Sequence, residues 1–294
     1  MSSFNTIGLI GRLASANTQY SINRLVNFLS KRKVKLLLDE ETSTVLPGEG
    51  YPVASRVELA KKCDLIIVVG GDGSLLSAAR AFAGHPVNIL GINRGRLGFL
   101  TDISPDEIET KVSEVLDGKY QTEERFLLNS EVMRDGEALS EGLALNDVVI
   151  HPGKFIRMIE FELYINNEFV YRQRSDGLII SSPTGSTAYA LSGGGPIMHP
   201  NLDAIALVPL YPHTLSSRPI VVAGSSVIRL IVSEQNNLNP LVTCDGQSQT
   251  MTQPGDEVII TKSEKALTLI HPEGHNFYET CRTKLGWASD TGNT

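Results

Sequence analysis

Leu65-Ile66-Ile67-Val68-Val69 runs directly into Gly70-Gly71-Asp72-Gly73-Ser74, and this junction constrains the chain more than any other stretch. Five apolar, mostly β-branched residues without polar alternation fit a strand covered on both faces, as in a parallel sheet. Beyond the glycines, Leu75, Ala79 and Phe82 recur at helical spacing, with Ser74 placed to cap the helix. A strand, a glycine turn and a helix N-terminus together present backbone N–H groups that a phosphate can approach closely. An aspartate in such a place would repel phosphate as a binding group. It fits a base, or a group that orients a hydroxyl about to attack the phosphate. An ordinary tight turn with Asp72 facing water fits those four residues equally well.

The flanking sequence repeats the strand and helix grammar. Residues 6–10 and 34–38 read as strands, joined by a helix with Ile22, Leu25, Val26 and Leu29 on one face. Asn17 or Ser21 would cap it. Residues 42–52, broken by Pro47, Gly48 and Gly50, read as a loop, and 53–62 as a short helix. Residues 87–92 form another strand, which ends in a second glycine loop, Asn93-Arg94-Gly95-Arg96-Leu97-Gly98. A further helix has Ser104 and Glu107 as a capping box, Pro105 at its first position and Gly118 at its end.

After that helix the period changes. Ile159, Phe161, Leu163 and Ile165 alternate with polar residues, the pattern of a half-buried strand. Asp135-Gly136 and Asn166-Asn167 read as hairpin turns. Residues 227–232, 257–261 and 267–270 continue the strands. The expected architecture is an α/β N-terminal domain with a parallel Rossmann-like sheet, followed by a mostly antiparallel, β-sandwich-like C-terminal domain. The boundaries fall at 1–101, with 271–294 returning to the first domain, and 102–270.

Composition excludes several classes. A formal charge of −7 leaves no basic excess to bind nucleic acid through its phosphates. Cys63, Cys244 and Cys281 are odd in number and widely spaced, against a disulfide framework or a structural zinc site. No apolar run reaches membrane-spanning length and no signal pattern opens the chain, so a reducing cytoplasm is the expected location. The histidines read as unpaired. His151, His199, His213 and His271 each adjoin a proline and are expected in loops.

Chemistry is also written into the second half. Ser175-Asp176-Gly177 leads through an apolar strand into Ser181-Ser182-Pro183-Thr184-Gly185-Ser186-Thr187, rich in hydroxyls that suit a polar or sugar-like ligand. Tyr189 offers a face on which a base can stack. Asn146-Asp147 precede another apolar strand and suit two ribose hydroxyls, though solvated residues at a strand start look the same. Arg157, Arg172 and Arg174 are candidates for phosphate, with a surface charge as the plain reading of Arg172. Neither a Walker-type phosphate loop nor Gly-x-Gly-x-x-Gly occurs.

In their order, Gly70-Gly71-Asp72-Gly73, the loop 91–100, Asn146-Asp147, Asp176-Gly177 and Thr184-Gly185-Ser186-Thr187-Ala188-Tyr189 closely resemble the NAD kinase family. The resemblance extends through Pro212-His213-Thr214-Leu215 to Thr283-Lys284-Leu285-Gly286-Trp287. It implies phosphorylation of the adenosine ribose 2′-hydroxyl of NAD, with ATP as donor and a divalent metal, Mg²⁺, as cofactor. By motif position Asp72 would accept the hydroxyl proton, with Gly73 beside it. Asn146 and Asp147 would hold the dinucleotide. Asp176 with Thr187, Ala188, Tyr189, Ala190, Leu191 and Ser192 would take its adenine end, and Arg157, Arg174 and Gln247 would make further contacts. The resemblance implies a homodimer or homotetramer and a site in the cleft between domains. Many members carry Glu where this chain has Asp147, a carboxylate one methylene shorter, and Ser74 varies.

Two other functions share some of these features. A kinase acting on diacylglycerol or a sphingoid base also uses Gly-Gly-Asp-Gly, but no amphipathic membrane helix accompanies it here. A dinucleotide sensor without catalysis would keep the gripping residues and have no use for Asp72.

Overall fold

The structure is a computed structural model describing residues 4–11, 16–44, 46, 50–95, 97–154, 157–214 and 216–287. Pro47, Gly48, Arg96 and Leu215 of the motifs above lie outside the described residues. The chain divides into two compact units, residues 1–124 with 267–294, and residues 125–266.

The first unit is built from β1 (Thr6–Gly11), α1 (Ala16–Ser30), β2 (Lys35–Asp39), α2 (Glu40–Ser43), β3 (Val53–Ala54), α3 (Arg56–Lys62), β4 (Leu65–Val69), α4 (Asp72–Phe82), β5 (Asn88–Ile92) and α5 (Ile108–Leu116). The strands are parallel in the order β3-β2-β1-β4-β5, and residues 268–270 add a parallel strand beside β5. All five residues of β4 are buried, as an unalternating apolar run requires. The strand order reverses between β1 and β4, and the glycine turn leaves the carboxyl end of β4 at that switch, the usual ligand position in an open α/β sheet.

Ile22, Leu25, Val26 and Leu29 of α1 share one core with Ile108, Val112, Val115 and Leu116 of α5. That packing carries the first unit through α5 to Glu124, past the boundary expected at residue 101.

Several local expectations are corrected. Asn17 and Ser21 lie inside α1, which already begins at Ala16. Val53 and Ala54 form a strand against β2, so the helix expected from residue 53 starts at Arg56. The reciprocal capping box belongs there: Ser55 Oγ accepts from Glu58 N, and the Glu58 carboxylate accepts from Ser55 N. Ser104 instead donates its hydroxyl to the Glu107 side chain and makes no side-chain cap bond. Pro105–Glu107 is a 3-10 turn ahead of α5. The region read as a loop from residue 42 contains the end of α2.

The second unit opens with β6 (Tyr120–Arg134), whose first residues belong to the first unit, and continues with β7 (Glu137–Ala144), β8 (Asp147–His151), β9 (Ile159–Ile165), β10 (Glu168–Ser175) and β11 (Gly177–Ser181). After the short α6 (Tyr189–Ser192) come β12 (Ala204–Leu210), β13 (Ile220–Ala223), β14 (Ile228–Val232), β15 (Leu241–Cys244), β16 (Ser248–Met251) and β17 (Glu257–Pro272). The chain ends in α7 (Phe277–Leu285) of the first unit. The two strands expected over 257–270 are one continuous strand, β17.

Strands β13-β12-β11-β8-β15-β16 form an antiparallel sheet, and β10-β9-β14-β17 form another antiparallel run. Val148, Ile150, Leu178 and Ile180 of the first pack with Phe161, Leu163, Leu230 and Ile260 of the second in one core, a sandwich arrangement. Both expected hairpin turns are present. Asp135 and Gly136 have φ of 52° and 81°, and Asn166 and Asn167 have 52° and 67°, the paired positive values of a type I′ turn. Among the described residues no helix is long and apolar enough to cross a membrane.

Candidate active site

Asp72 is the first residue of α4, with Gly71 as its N-cap. Ser74 is therefore already inside the first turn and is not the cap. Its amide donates to Gly71 O at 2.9 Å. An acidic side chain at the start of a helix is favoured by the macrodipole. The half-buried carboxylate is also held from the second glycine loop. Oδ2 accepts from Phe99 N at 3.0 Å, and Oδ1 accepts from Leu100 N at 3.1 Å and Thr101 Oγ1 at 3.3 Å. A carboxylate offers about four lone-pair sites. Three donors fix its plane and leave room for a substrate hydroxyl.

The loop can approach this closely because residue 98 is glycine. A Cβ there would lie 2.1 Å from Asp72 Oδ1 and 2.3 Å from Thr101 Oγ1. Gly98→Ala is expected to push Asp72 out of its cradle; with Asp72 in the role that the family resemblance implies, turnover would fall roughly 10²-fold, the scale of a misplaced catalytic group. Steady-state kinetics checks this, beside thermal unfolding that shows the variant still folds.

The second unit carries a cavity of about 620 Å³ on the outer face of its six-stranded sheet. Strand periodicity builds it: Val148 and Ile150 face the sandwich core, so Asp147, Val149 and His151 face the other way. Cross-strand register then sets Thr243 beside Val149 and Gln249 beside Thr243. Asp245, in a positive-φ turn with Gly246, accepts from Asn146 N at 2.7 Å and Leu145 N at 3.1 Å. This clamps the Asn146-Asp147 backbone.

Asp147 is buried, and loss of hydration followed by the nearby charge of Asp245 pushes its carboxyl up to about 7. In the unfolded chain the same group ionises near 4, so between about pH 4 and 7 the folded form holds a proton that the unfolded form has lost. Stability of the ligand-free protein is expected to fall as pH rises through that window and then level off. Asp147→Asn should remove the slope, as thermal unfolding across the range would show.

Asn146, Asp147, Asp176, Ala188 and Tyr189 are brought together around this cavity. Its lining contains three carboxylates and no Lys or Arg, a set suited to hydroxyls and amines rather than to phosphate. Tyr189 is 48% exposed, leaving a ring face available for stacking. Ala190 packs in the core beneath, against Val149 and Ile179. Thr187 donates its hydroxyl to Thr184 O at 3.4 Å, and neither Leu191 nor Ser192 lines the cavity. Gly73, Arg157, Arg174 and Gln247 are exposed, the last three away from the lining, and Arg172 pairs with Glu162 as a surface charge.

Sequence reasoning passed over Tyr211, Asp245 and Gln249. Asp245-Gly246 was visible as a hairpin dipeptide. Tyr211 carries no local signal, yet it is 81% exposed with φ of 43° at the cavity edge.

The reading of the histidines is also corrected. His271 and His275 are spaced i, i+4, and His271 is a buried residue of β17 rather than a loop residue. Burial alone would lower the His271 imidazole, but the contact with Asp102 and the nearby charges of Asp102 and Glu123 raise it to about 9. Cys63, Cys244 and Cys281 are buried, and none is joined in a disulfide.

Residues 7–120 match the ATP-NAD kinase N-terminal domain and residues 145–272 the ATP-NAD kinase C-terminal domain. The chain is 80% identical over 293 residues to an NAD kinase of Teredinibacter turnerae, covering 100% of both chains. Among solved structures it is similar to yeast NADH kinase complexed with NADH. That match has 23% identity and a TM-score of 0.88 over 99% of this chain and 90% of the other. It is also similar to an NAD kinase from Archaeoglobus fulgidus in complex with ATP, with 27% identity and a TM-score of 0.73. There the coverage is 96% of this chain and 97% of the other.

Proposed function

The chain belongs to the NAD kinase family, and from that premise we propose that Asp72 accepts the proton of the ribose 2′-hydroxyl of NAD as ATP phosphorylates it. The activity is that of an NAD kinase, an ATP:NAD 2′-phosphotransferase that makes NADP. The observation that carries the role of Asp72 is its triply held carboxylate at the first position of α4. Phosphoryl transfer asks a protein chiefly for positioning and charge stabilisation. Asp72 aligns the hydroxyl and takes its proton while the new O–P bond forms. Gly71 and Gly73 let the donor's phosphates reach the N-terminal turn of α4.

In the second unit, the carboxylates of Asp147 and Asp176 with the Asn146 amide bind hydroxyl and amine groups of the dinucleotide. The Tyr189 ring stacks on its adenine. Arg157, Arg174 and Gln247 remain contacts proposed from the family pattern, as do Thr187, Ala190, Leu191 and Ser192. Tyr189→Ala tests the assignment: a loss of about 1–3 kcal/mol of stacking raises KM for NAD roughly 5- to 150-fold with little change in kcat. An unchanged KM would remove Tyr189 from the site.

A divalent metal, Mg²⁺, is proposed as cofactor. Among the described residues Asp72 belongs to no group of three or more potential metal ligands. Its surroundings therefore fit an ion carried largely by substrate phosphates, the usual state of Mg²⁺, and the metal would neutralise charge on the transferred phosphoryl group. The family pattern also supports a homodimer or homotetramer, to be read by light scattering against the chain mass of 31.9 kDa. A reducing cytoplasm accords with three buried cysteines that form no disulfide.

A further inference from the structure

One cluster of chemistry-bearing side chains in the first unit has no part in the reaction described above. His271 at the end of β17, His275 in the turn before α7, and Asp102 just after the second glycine loop converge on one point. Asp102 Oδ2 contacts His271 Nδ1 and lies 3.2 Å from His275 Nδ1. The two imidazoles stack with centroids 4.0 Å apart and planes 17° from parallel, so both Nδ1 atoms address the same carboxylate. All three ligand atoms lie within 4.8 Å of one another. His271 Nε2 lies 3.2 Å from Glu123 Oε2.

We propose that Asp102, His271 and His275 form a binding site for a zinc-like divalent transition metal. Two imidazole nitrogens and one carboxylate oxygen are a borderline donor set that suits Zn²⁺ better than Mg²⁺. Glu123 Oε2, 3.2 Å from His271 Nε2, stands where an outer carboxylate that orients a ligating histidine would be placed. Asp102 Oδ1 is buried without a hydrogen-bond partner, an oxygen that a cation beside Oδ2 would stabilise. Adjoining the cluster is a cavity of about 320 Å³, lined by Asp102 and His275, with room for water at the fourth position. The charges also balance, since one divalent cation offsets Asp102 and Glu123.

Asp102 directly follows Thr101, a donor to Asp72, and Lys284 of α7 donates to Leu97 O at 2.6 Å on the same loop. Metal at Asp102 therefore staples β17 and the turn before α7 to the loop that cradles Asp72. The site is structural and acts on the base through that loop.

The test uses the full chain stripped with chelator and kept free of nucleotide, so its outcome is independent of turnover. Co²⁺ is titrated while visible absorption is recorded, and zinc content is measured after dialysis. About one ion per chain is expected, with the intense visible bands of nitrogen-ligated four-coordinate Co²⁺ and a rise in Tm on adding Zn²⁺. His275→Ala and Asp102→Asn should abolish the bands and the Tm response. His275 is 15% exposed at its side chain, and far-UV circular dichroism of the variant checks that it still folds. Absence of stoichiometric binding in the parent chain, or binding unchanged in a folded His275→Ala, would overturn the proposal.

Discussion

Asp72→Asn is expected to bind NAD with nearly unchanged affinity and to turn it over roughly 10²–10⁴ times more slowly than the parent chain. Asparagine keeps the size of the side chain but cannot take up the hydroxyl proton. Its amide nitrogen would also face at least one of the donors Phe99 N, Leu100 N and Thr101 Oγ1, none of which it can accept from. One donor left unsatisfied costs about 1–3 kcal/mol. Thermal unfolding separates that loss from the catalytic one: a folded variant with intact NAD binding and lost turnover has lost the base. Near-parental turnover would show that Asp72 only shapes the loop.

Gly185→Ala is expected to be the most damaging small substitution in the second unit. A Cβ at residue 185 would lie 2.1 Å from Asn146 O and 2.5 Å from Asn146 C, both backbone atoms. Neither can swing away as a side-chain end would. The turn of residues 184–187 must lift off, or Asn146 must shift against the Asp245 clamp. Overpacking typically costs about 1–3 kcal/mol, occasionally more, and this contact belongs at the upper end. With Asn146 and Asp147 holding the dinucleotide as proposed, NAD affinity falls together with stability, because they share that backbone. The expected result is a Tm lower by about 5–10 °C, at about 2–4 °C per kcal/mol, with a raised KM for NAD. A KM unchanged in a folded variant would separate the turn from the binding cavity.

Elements whose signal lies within a few residues were legible before the fold was seen. The buried run 65–69, the helical face of α1 and the Asp135-Gly136 hairpin each carry their own periodicity or turn chemistry. Helix starts were less so. Ser74 looks like a cap by residue type, but Gly71 can take the N-cap conformation itself, and the helix gains Asp72 at its positive end. Strand β17 was read as two pieces because its middle is exposed and polar, so the apolar pattern that marks its ends is interrupted.

The site divides in the same way. Asn146, Asp147, Asp176 and Tyr189 sit in motifs whose order points to a family, and they do line one cavity. The cradle of Asp72 was invisible, because it depends on three donors 27 to 29 residues away and on the absence of a side chain at Gly98. Asp245 and Gln249 were hidden for a similar reason: only the register of β15 against β8, and of β16 against β15, carries them to the face of Asp147. Gln247, two positions away, occupies the turn instead. Register is a property of strand pairs, and a single sequence does not display it.

The most direct measurement follows NADP by a coupled NADP-specific dehydrogenase after the purified chain is mixed with NAD, ATP and Mg²⁺. NADP should accumulate only when ATP and metal are both present, and its formation should fall to near background with Asp72→Asn. NAD bound without NADP formation across phosphoryl donors, or NADP made by Asp72→Asn at the parental rate, would contradict Asp72 as the base of an NAD kinase.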